Sequence, residues 1–328
     1  MNTDYKMVID RHGGPEVLRQ APLDLAGLAD DEVLIVQEAI GLNFVDIYHR
    51  AGQFGVHEPI PLPATLGVQG AGRVEAVGDK VTRVKAGDRV GYVGYRGAYA
   101  SRRVIPESKL VPLPDDMSSE LAAACLVRGL TAEYLLFQLY AVQPGDTVVI
   151  HAAAGGVGSI ASQWATALGA TVIGTVGSAA KAERAKAAGC AHVVVYTDAD
   201  WADQVLAITA GAGVPVVYDS IGRDTFLESL RCLRIRGLAI NYGTTSGQVE
   251  NFPLQLLHSR SLSVCRPTLP NFIADTVAYD RAANRFFAAL RDGTITIEMG
   301  PAYALKDVAQ AHSDFEQRRI VGMPILLP

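Results

Sequence analysis

The chain has 328 residues, more than one ordinary core needs and enough for two domains. Apolar residues make up 49% and charged residues 19%, which excludes a disordered chain. A formal charge of −5, with no Lys/Arg cluster, argues against a nucleic-acid surface.

Met1–Asp10 carries Asp4, Lys6 and Asp10 and no apolar stretch, so it does not read as a signal peptide. Residues 1 to about 120 are rich in β-branched residues, Gly and Pro. Short runs such as Glu32–Glu38, Gly72–Val77 and Asp88–Val93 lie between turn signals at Gly13-Gly14, Gly78-Asp79 and Gly87-Asp88. This pattern predicts a mostly β domain of short strands.

The rhythm changes at the Pro144-Gly145-Asp146 turn. Thr147–His151 reads as a buried strand. Val157, Ile160, Ala161, Trp164, Ala165 and Leu168 then recur at helical spacing, with Gly169 placed to end the helix. Strands follow at Thr171–Val176, His192–Tyr196, Pro215–Tyr218 and Gly237–Tyr242. Helices at Ala179–Ala188, Asp200–Ala210 and Asp224–Leu233 alternate with them. The alternation predicts a parallel sheet wound on both faces. No Asp, Glu, Lys or Arg occurs from Thr147 to Ala180, long enough in principle to span a bilayer. Glycines 155, 156, 158, 169, 174 and 177 divide it, so it reads as the buried start of an α/β domain and not as a membrane segment. Beyond Cys265 a helix is expected at Thr276–Arg291 and a strand at Met323–Leu327, a tail too small to fold alone. The four cysteines (Cys125, Cys190, Cys232, Cys265) form no Cys-x-x-Cys pair. Their scatter fits a reducing, cytoplasmic setting.

The turn His151-Ala-Ala-Ala-Gly-Gly-Val-Gly158 lies between a predicted strand and a predicted helix. Against G-x-G-x-x-G its register is Ala153-x-Gly155-x-x-Gly158, with the first glycine replaced. Gly155 would let backbone approach a pyrophosphate, and Gly158 would let the helix pack close to the sheet. The helix N-terminus offers free N–H groups and partial positive charge to phosphates. The alternative is a tight turn that binds nothing. An NAD site places a carboxylate ~20 residues beyond the turn, on the ribose hydroxyls. Here that position holds Ser178, and Lys181 follows. Neither repels a 2′-phosphate and both can donate to it, so the pair points to NADPH. Lys181 as a solvated helix residue is the competing reading.

These motifs together resemble the zinc-free quinone oxidoreductases of the medium-chain dehydrogenase/reductase superfamily, the group that includes zeta-crystallin. The resemblance runs from end to end. It includes His12-Gly-Gly-Pro-Glu-Val-Leu18, Ala39-Ile-Gly-Leu-Asn-Phe-Val-Asp-Ile-Tyr48 and Lys85-Ala-Gly-Asp-Arg-Val90. It continues through Gly129-Leu-Thr131, Ala152-Ala-Ala-Gly-Gly-Val-Gly158 and Val217-Tyr-Asp-Ser-Ile-Gly222. It implies a mostly β chaperonin-10-like (GroES-like) catalytic domain from residues 1–122 and 266–328. A doubly wound Rossmann NADPH-binding domain, residues 123–265, is inserted between them, with the active site in the cleft. A homodimer pairing edge strands of the two Rossmann sheets is implied too.

By the same resemblance Asn43, Tyr48 and Thr131 lie near the nicotinamide, with Asn43 and Tyr48 in the catalytic role. Gly155, Gly156 and Val157 meet the pyrophosphate. Ser178, Lys181, Tyr196 and Arg318 surround the 2′-phosphate, and Tyr242 and Arg266 line the cofactor cleft. Simpler roles remain open: Asn43 fixing a turn, Tyr48 as a half-buried core aromatic, Arg318 as a surface residue beside Arg319. Zinc-dependent relatives carry Cys at the position of Asn43, and a His-Glu pair where this chain has Val68 and Gln69. Cys125 alone cannot assemble a three-ligand zinc site, so no metal is expected. Enoyl reductases are thought to use a Tyr as proton donor where Phe54 stands here. The expected reaction is hydride transfer from NADPH to a quinone or related conjugated carbonyl compound. The alternatives are C=C reduction of an enone or enoyl thioester, and a non-catalytic NADPH-binding protein of crystallin-like or redox-sensing kind.

Overall fold

A computed structural model describes residues 4–25, 27–53 and 60–328. Its strands, in chain order, begin with β1 (Tyr5–Ile9), β2 (Arg19–Pro22), β3 (Glu32–Gly41), β4 (Ala64–Thr65) and β5 (Gln69–Val77). Next come β6 (Arg89–Val93), β7 (Arg102–Pro106), β8 (Leu110–Pro112), β9 (Thr147–Ile150), β10 (Thr171–Val176) and β11 (His192–Val195). The last are β12 (Val214–Asp219), β13 (Leu233–Asn241), β14 (Ser263–Cys265), β15 (Met299–Ala304) and β16 (Met323–Leu327). The helices are α1 (Phe44–Ala51), α2 (Ser119–Glu133), α3 (Gly156–Ala167), α4 (Ala182–Ala187), α5 (Trp201–Ile208), α6 (Phe226–Ser229), α7 (Thr276–Arg291) and α8 (Val308–Glu316).

Two compact units divide the chain: Met1–Val127 with Asp275–Ala283 and Ile297–Pro328, and Arg128–Ala274 with Asn284–Thr296. In the first, β3 is the spine. Its Val33, Ile35, Gln37 and Ala39 are buried in alternation, the period-two signature of a strand with one covered face. β3 pairs antiparallel with β5, β7 and β16. The chain's last strand thus joins a sheet begun by its third, with Ile325 opposite Gly41. Ile9, Val33, Ile35, Leu66, Val90 and Leu326 share this unit's core.

The second unit is a six-stranded parallel sheet in the order β11-β10-β9-β12-β13-β14, the doubly wound arrangement. Every residue of β12 is buried, as helices on both faces require. Ile160, Ala161, Trp164 and Ala165 form the buried face of α3, and Gly169 follows with φ +86°. Two expectations fail locally. The helix expected to Leu233 stops at Ser229, and Leu233 already opens β13. The register shifts where β12 meets β13, with Arg236 at φ +59°, so the chain resumes extended backbone four residues earlier than the periodicity indicates. The helix expected over Ala179–Ala188 begins as a 3-10 turn, Ala179–Lys181, before α4.

Candidate functional site: a dinucleotide-binding edge and a buried amide pair

At the C-terminal end of β9 the chain leaves the sheet through Ala152, held at φ +51°, and enters α3 with Gly155 as N-cap. Gly155 N–H donates to Ala152 O at 2.7 Å, closing the turn. A Cβ at Gly158 would lie 2.2 Å from Ala152 O, so no larger residue lets helix and turn approach this closely. Gly155 is exposed, and Gly156 and Val157 are half-buried. The first-turn N–H groups of α3 lack intrahelical acceptors, which is the donor set a pyrophosphate needs.

One strand over, Ser178 is exposed just beyond β10 and receives the Lys181 N–H on its carbonyl at 3.0 Å. Tyr196, just beyond β11, is anchored by N–H donation to Val176 O at 2.9 Å. Its hydroxyl covers Gly177, where an added Cβ would lie 2.7 Å away. The structure therefore brings Ser178, Lys181 and Tyr196 to one end of the parallel sheet, next to the turn. No Asp or Glu occurs from Thr175 to Ala182. The turn and the three donors together fit a dinucleotide that carries an extra phosphate on its ribose.

Tyr242 follows β13; burial pushes its phenol pKa up, and its hydroxyl is covered. Arg266, exposed beyond β14, donates from Nη1 to Asn241 O at 2.8 Å. Thr131 is buried on α2. Arg128, one turn earlier on α2, lies against the α3 N-terminus: a Cβ on Gly156 would fall 2.6 Å from its Nε. Nothing in the sequence motifs points to Arg128; its i,i+3 spacing from Thr131 is the one signal for it. A buried cluster that no motif announces lies beneath the turn. His151 Nδ1 lies 2.7 Å from Thr175 Oγ1, and Nε2 lies 2.8 Å from Ser229 Oγ. Burial holds the imidazole pKa below its ordinary value despite the nearby Asp219 charge, so the ring is neutral at pH 7. The cluster ties the ends of β9 and β10 to α6.

The remaining candidates belong to the first unit. Asn43 is the N-cap of α1, and its N–H donates to the Asp46 carboxylate at 2.9 Å. Its side-chain Nδ2 donates to Gln69 Oε1 at 3.0 Å, and both side chains are buried. Tyr48 is half-buried one turn along, with its ring 6.3 Å from that of Phe44. Arg318 is exposed after α8 with φ +57°, whereas Arg319 is committed to Asp314. Phe54 lies outside the described residues.

The alcohol dehydrogenase GroES-like domain family matches residues 29–115, and the zinc-binding dehydrogenase family matches 156–285. A quinone oxidoreductase of Pseudomonas aeruginosa is 45% identical over 320 residues, 97% of each chain. The chain belongs to the quinone oxidoreductase family of the medium-chain dehydrogenases/reductases. A solved member, the Escherichia coli quinone oxidoreductase complexed with NADPH, superposes with a TM-score of 0.94 at 42% identity, covering 99% of this chain and 100% of that one. A Burkholderia 2-haloacrylate reductase is also related, 39% identical over 98% of each chain.

In this member of the family, the positions held by a His-Glu pair in zinc-dependent relatives do other work. Val68 is a buried apolar residue, and Gln69 spends its amide on hydrogen bonds. Among the described residues no group of three or more His, Cys, Asp or Glu side chains is placed to hold a metal ion. No helix among them is long and apolar enough to cross a membrane.

Proposed function

We propose that this chain is a cytoplasmic, homodimeric NADPH:quinone oxidoreductase that transfers hydride to quinones or related conjugated carbonyl compounds without a metal. The observation that carries the reading is the sheet end beside the glycine turn, where Ser178 and Lys181 follow β10, Tyr196 follows β11, and no Asp or Glu occurs from Thr175 to Ala182. Residues 123–265 are assigned as the NADPH-binding domain, and 1–122 with 266–328 as the catalytic domain.

In this assignment Gly155, Gly156 and Val157 present backbone N–H groups to the pyrophosphate. Ser178, Lys181, Tyr196 and Arg318 take the 2′-phosphate, and Tyr242 and Arg266 line the cofactor. Bound NADPH supplies the hydride. Asn43 and Thr131 orient the nicotinamide, and Tyr48 holds a proton where the acceptor oxygen needs one, with water as the other source. Hydride plus one proton makes the hydroquinone. The protein contributes positioning and exclusion of water.

The 2-haloacrylate reductase relationship favours a second reading, NADPH-dependent reduction of an activated C=C bond. Rates of NADPH oxidation with a panel of quinones and a panel of enones separate the two. The first reading predicts higher kcat/KM across the quinones. Turnover confined to the enones would move the chain to the second, and tight NADPH binding without turnover on either panel would make it a non-catalytic binder.

A further inference from the structure

Gln69 makes more hydrogen bonds than a core filler needs. It opens β5 and is fully buried. Its Nε2 donates to Ala122 O at 3.1 Å and to Ala123 O in a shorter bond. Its Oε1 accepts from Asn43 Nδ2 at 3.0 Å and from Val127 N–H at 3.3 Å. Ala123 and Val127 stand at i and i+4, so their carbonyl and N–H would pair with each other in a regular helix. The Gln69 amide bonds both, so one side chain bridges the two partners of a single rung of α2.

This arrangement fixes which way the amide points. Both protons of Nε2 are taken by backbone carbonyls, so the oxygen must face Asn43. Of the two Asn43 amide atoms only the nitrogen can donate to that oxygen, which turns Asn43 Oδ1 away from Gln69. Asp46 holds the same residue through its backbone N–H. The capping box adds the reciprocal bond, from the Asp46 backbone N–H to the Asn43 side chain, and with Gln69 it leaves that side chain one orientation.

We propose that Gln69 is a positioning residue for the hydride-transfer reaction: it locks the Asn43 amide, with Oδ1 turned to the first turn of α1, and ties it to the backbone of α2. The inference rests on the assignment of Asn43 to the nicotinamide. It gives a positive role to a position that the loss of metal ligands would otherwise leave as filler. Buried partners that orient a functional side chain change rates about 10–100-fold when removed from metal sites, and a similar size is expected here.

The test is a double-mutant cycle with Gln69→Met, Asn43→Ala and the pair, measuring kcat, NADPH dissociation constant and Tm on each purified protein. Gln69→Met is expected to lower kcat about 10-fold or more, with NADPH affinity changed less than about threefold. The double variant should be no slower than Asn43→Ala alone, because the clamp has nothing left to hold. Multiplicative losses, or a Gln69→Met protein that melts earlier yet keeps its kcat, would overturn the proposal. If Gln69→Met does not fold, Asn43→Asp decides: it retains the oxygen that caps α1 and removes the proton given to Gln69. A loss matching Asn43→Ala supports the clamp, and full activity contradicts it. A fully active Asn43→Ala would instead reject the assignment of Asn43, an outcome distinct from failure of the clamp alone.

Discussion

Lys181 and Ser178 carry the cofactor choice in the proposed function. A charge-assisted hydrogen bond to a phosphate is worth ~1.5–3 kcal/mol, and 1.4 kcal/mol is tenfold. Lys181→Ala should therefore weaken NADPH binding about ten- to a hundredfold and leave NADH binding unchanged. Fluorescence titration of both nucleotides checks this; equal losses for the two would remove Lys181 from the 2′-phosphate. Ser178→Asp should go further and reverse the preference, since a carboxylate there repels the phosphate and suits free ribose hydroxyls. Both positions were legible in the sequence because the rule they break is a rule of spacing. Gln69 was legible only as a missing metal ligand. Its partners lie 26, 53, 54 and 58 residues away, and no local pattern encodes such contacts.

At the scale of elements, α1 and α8 are joined by a buried polar chain. Arg50 donates from Nη1 to His312 Nδ1 at 3.0 Å and from Nη2 to Glu316 at 2.8 Å. His312 Nε2 lies 2.8 Å from the Tyr99 hydroxyl, which faces Asp46. Since Arg50 can only donate, His312 Nδ1 accepts and Nε2–H donates, which defines a neutral ring. Burial, aided by Arg50, lowers its pKa to about 3; burial, with Arg96, lowers that of His49 to about 4. Both are depressed bases, so below about pH 6.5 the unfolded chain binds protons the folded chain refuses. Their stabilisation is complete above that pH and is lost as pH falls toward 4 and 3, at up to ~1.4 kcal/mol per pH unit for each ring. Urea midpoints measured from pH 7 to pH 4.5 should fall, and His312→Gln should flatten the slope. An unchanged slope would mean the imidazole titrates normally. The turn before α3 makes a sharper prediction. Gly158→Ala puts a methyl 2.2 Å from Ala152 O and should cost at least ~2 kcal/mol, with NADPH binding lost even where the fold survives. Circular dichroism melts beside nucleotide titration separate those effects. Most of the Rossmann strands could be read in advance because hydrophobic runs and glycine turns are local. β14 could not, because it spans only Ser263–Cys265; nor could β15 of the other sheet, which has no buried residue and no strict alternation.

At the scale of the whole molecule, β14 ends the parallel sheet with one edge unpaired among the described residues, and Val264 on it is 38% exposed. An open edge of this kind is a template for a second copy, which is the dimer included in the proposed function. Val264→Arg should weaken that association at least tenfold in sedimentation equilibrium; a wild-type chain that is monomeric at all concentrations would remove the dimer. Cofactor choice and metal independence together define the proposed enzyme. Its most direct test is NADPH oxidation by a quinone series, with NADH run in parallel, on protein exhaustively treated with chelator. The account predicts undiminished turnover and a kcat/KM for NADPH at least about tenfold above that for NADH, from the 2′-phosphate contacts. Loss of activity on chelation, or equal use of the two nucleotides, would contradict it.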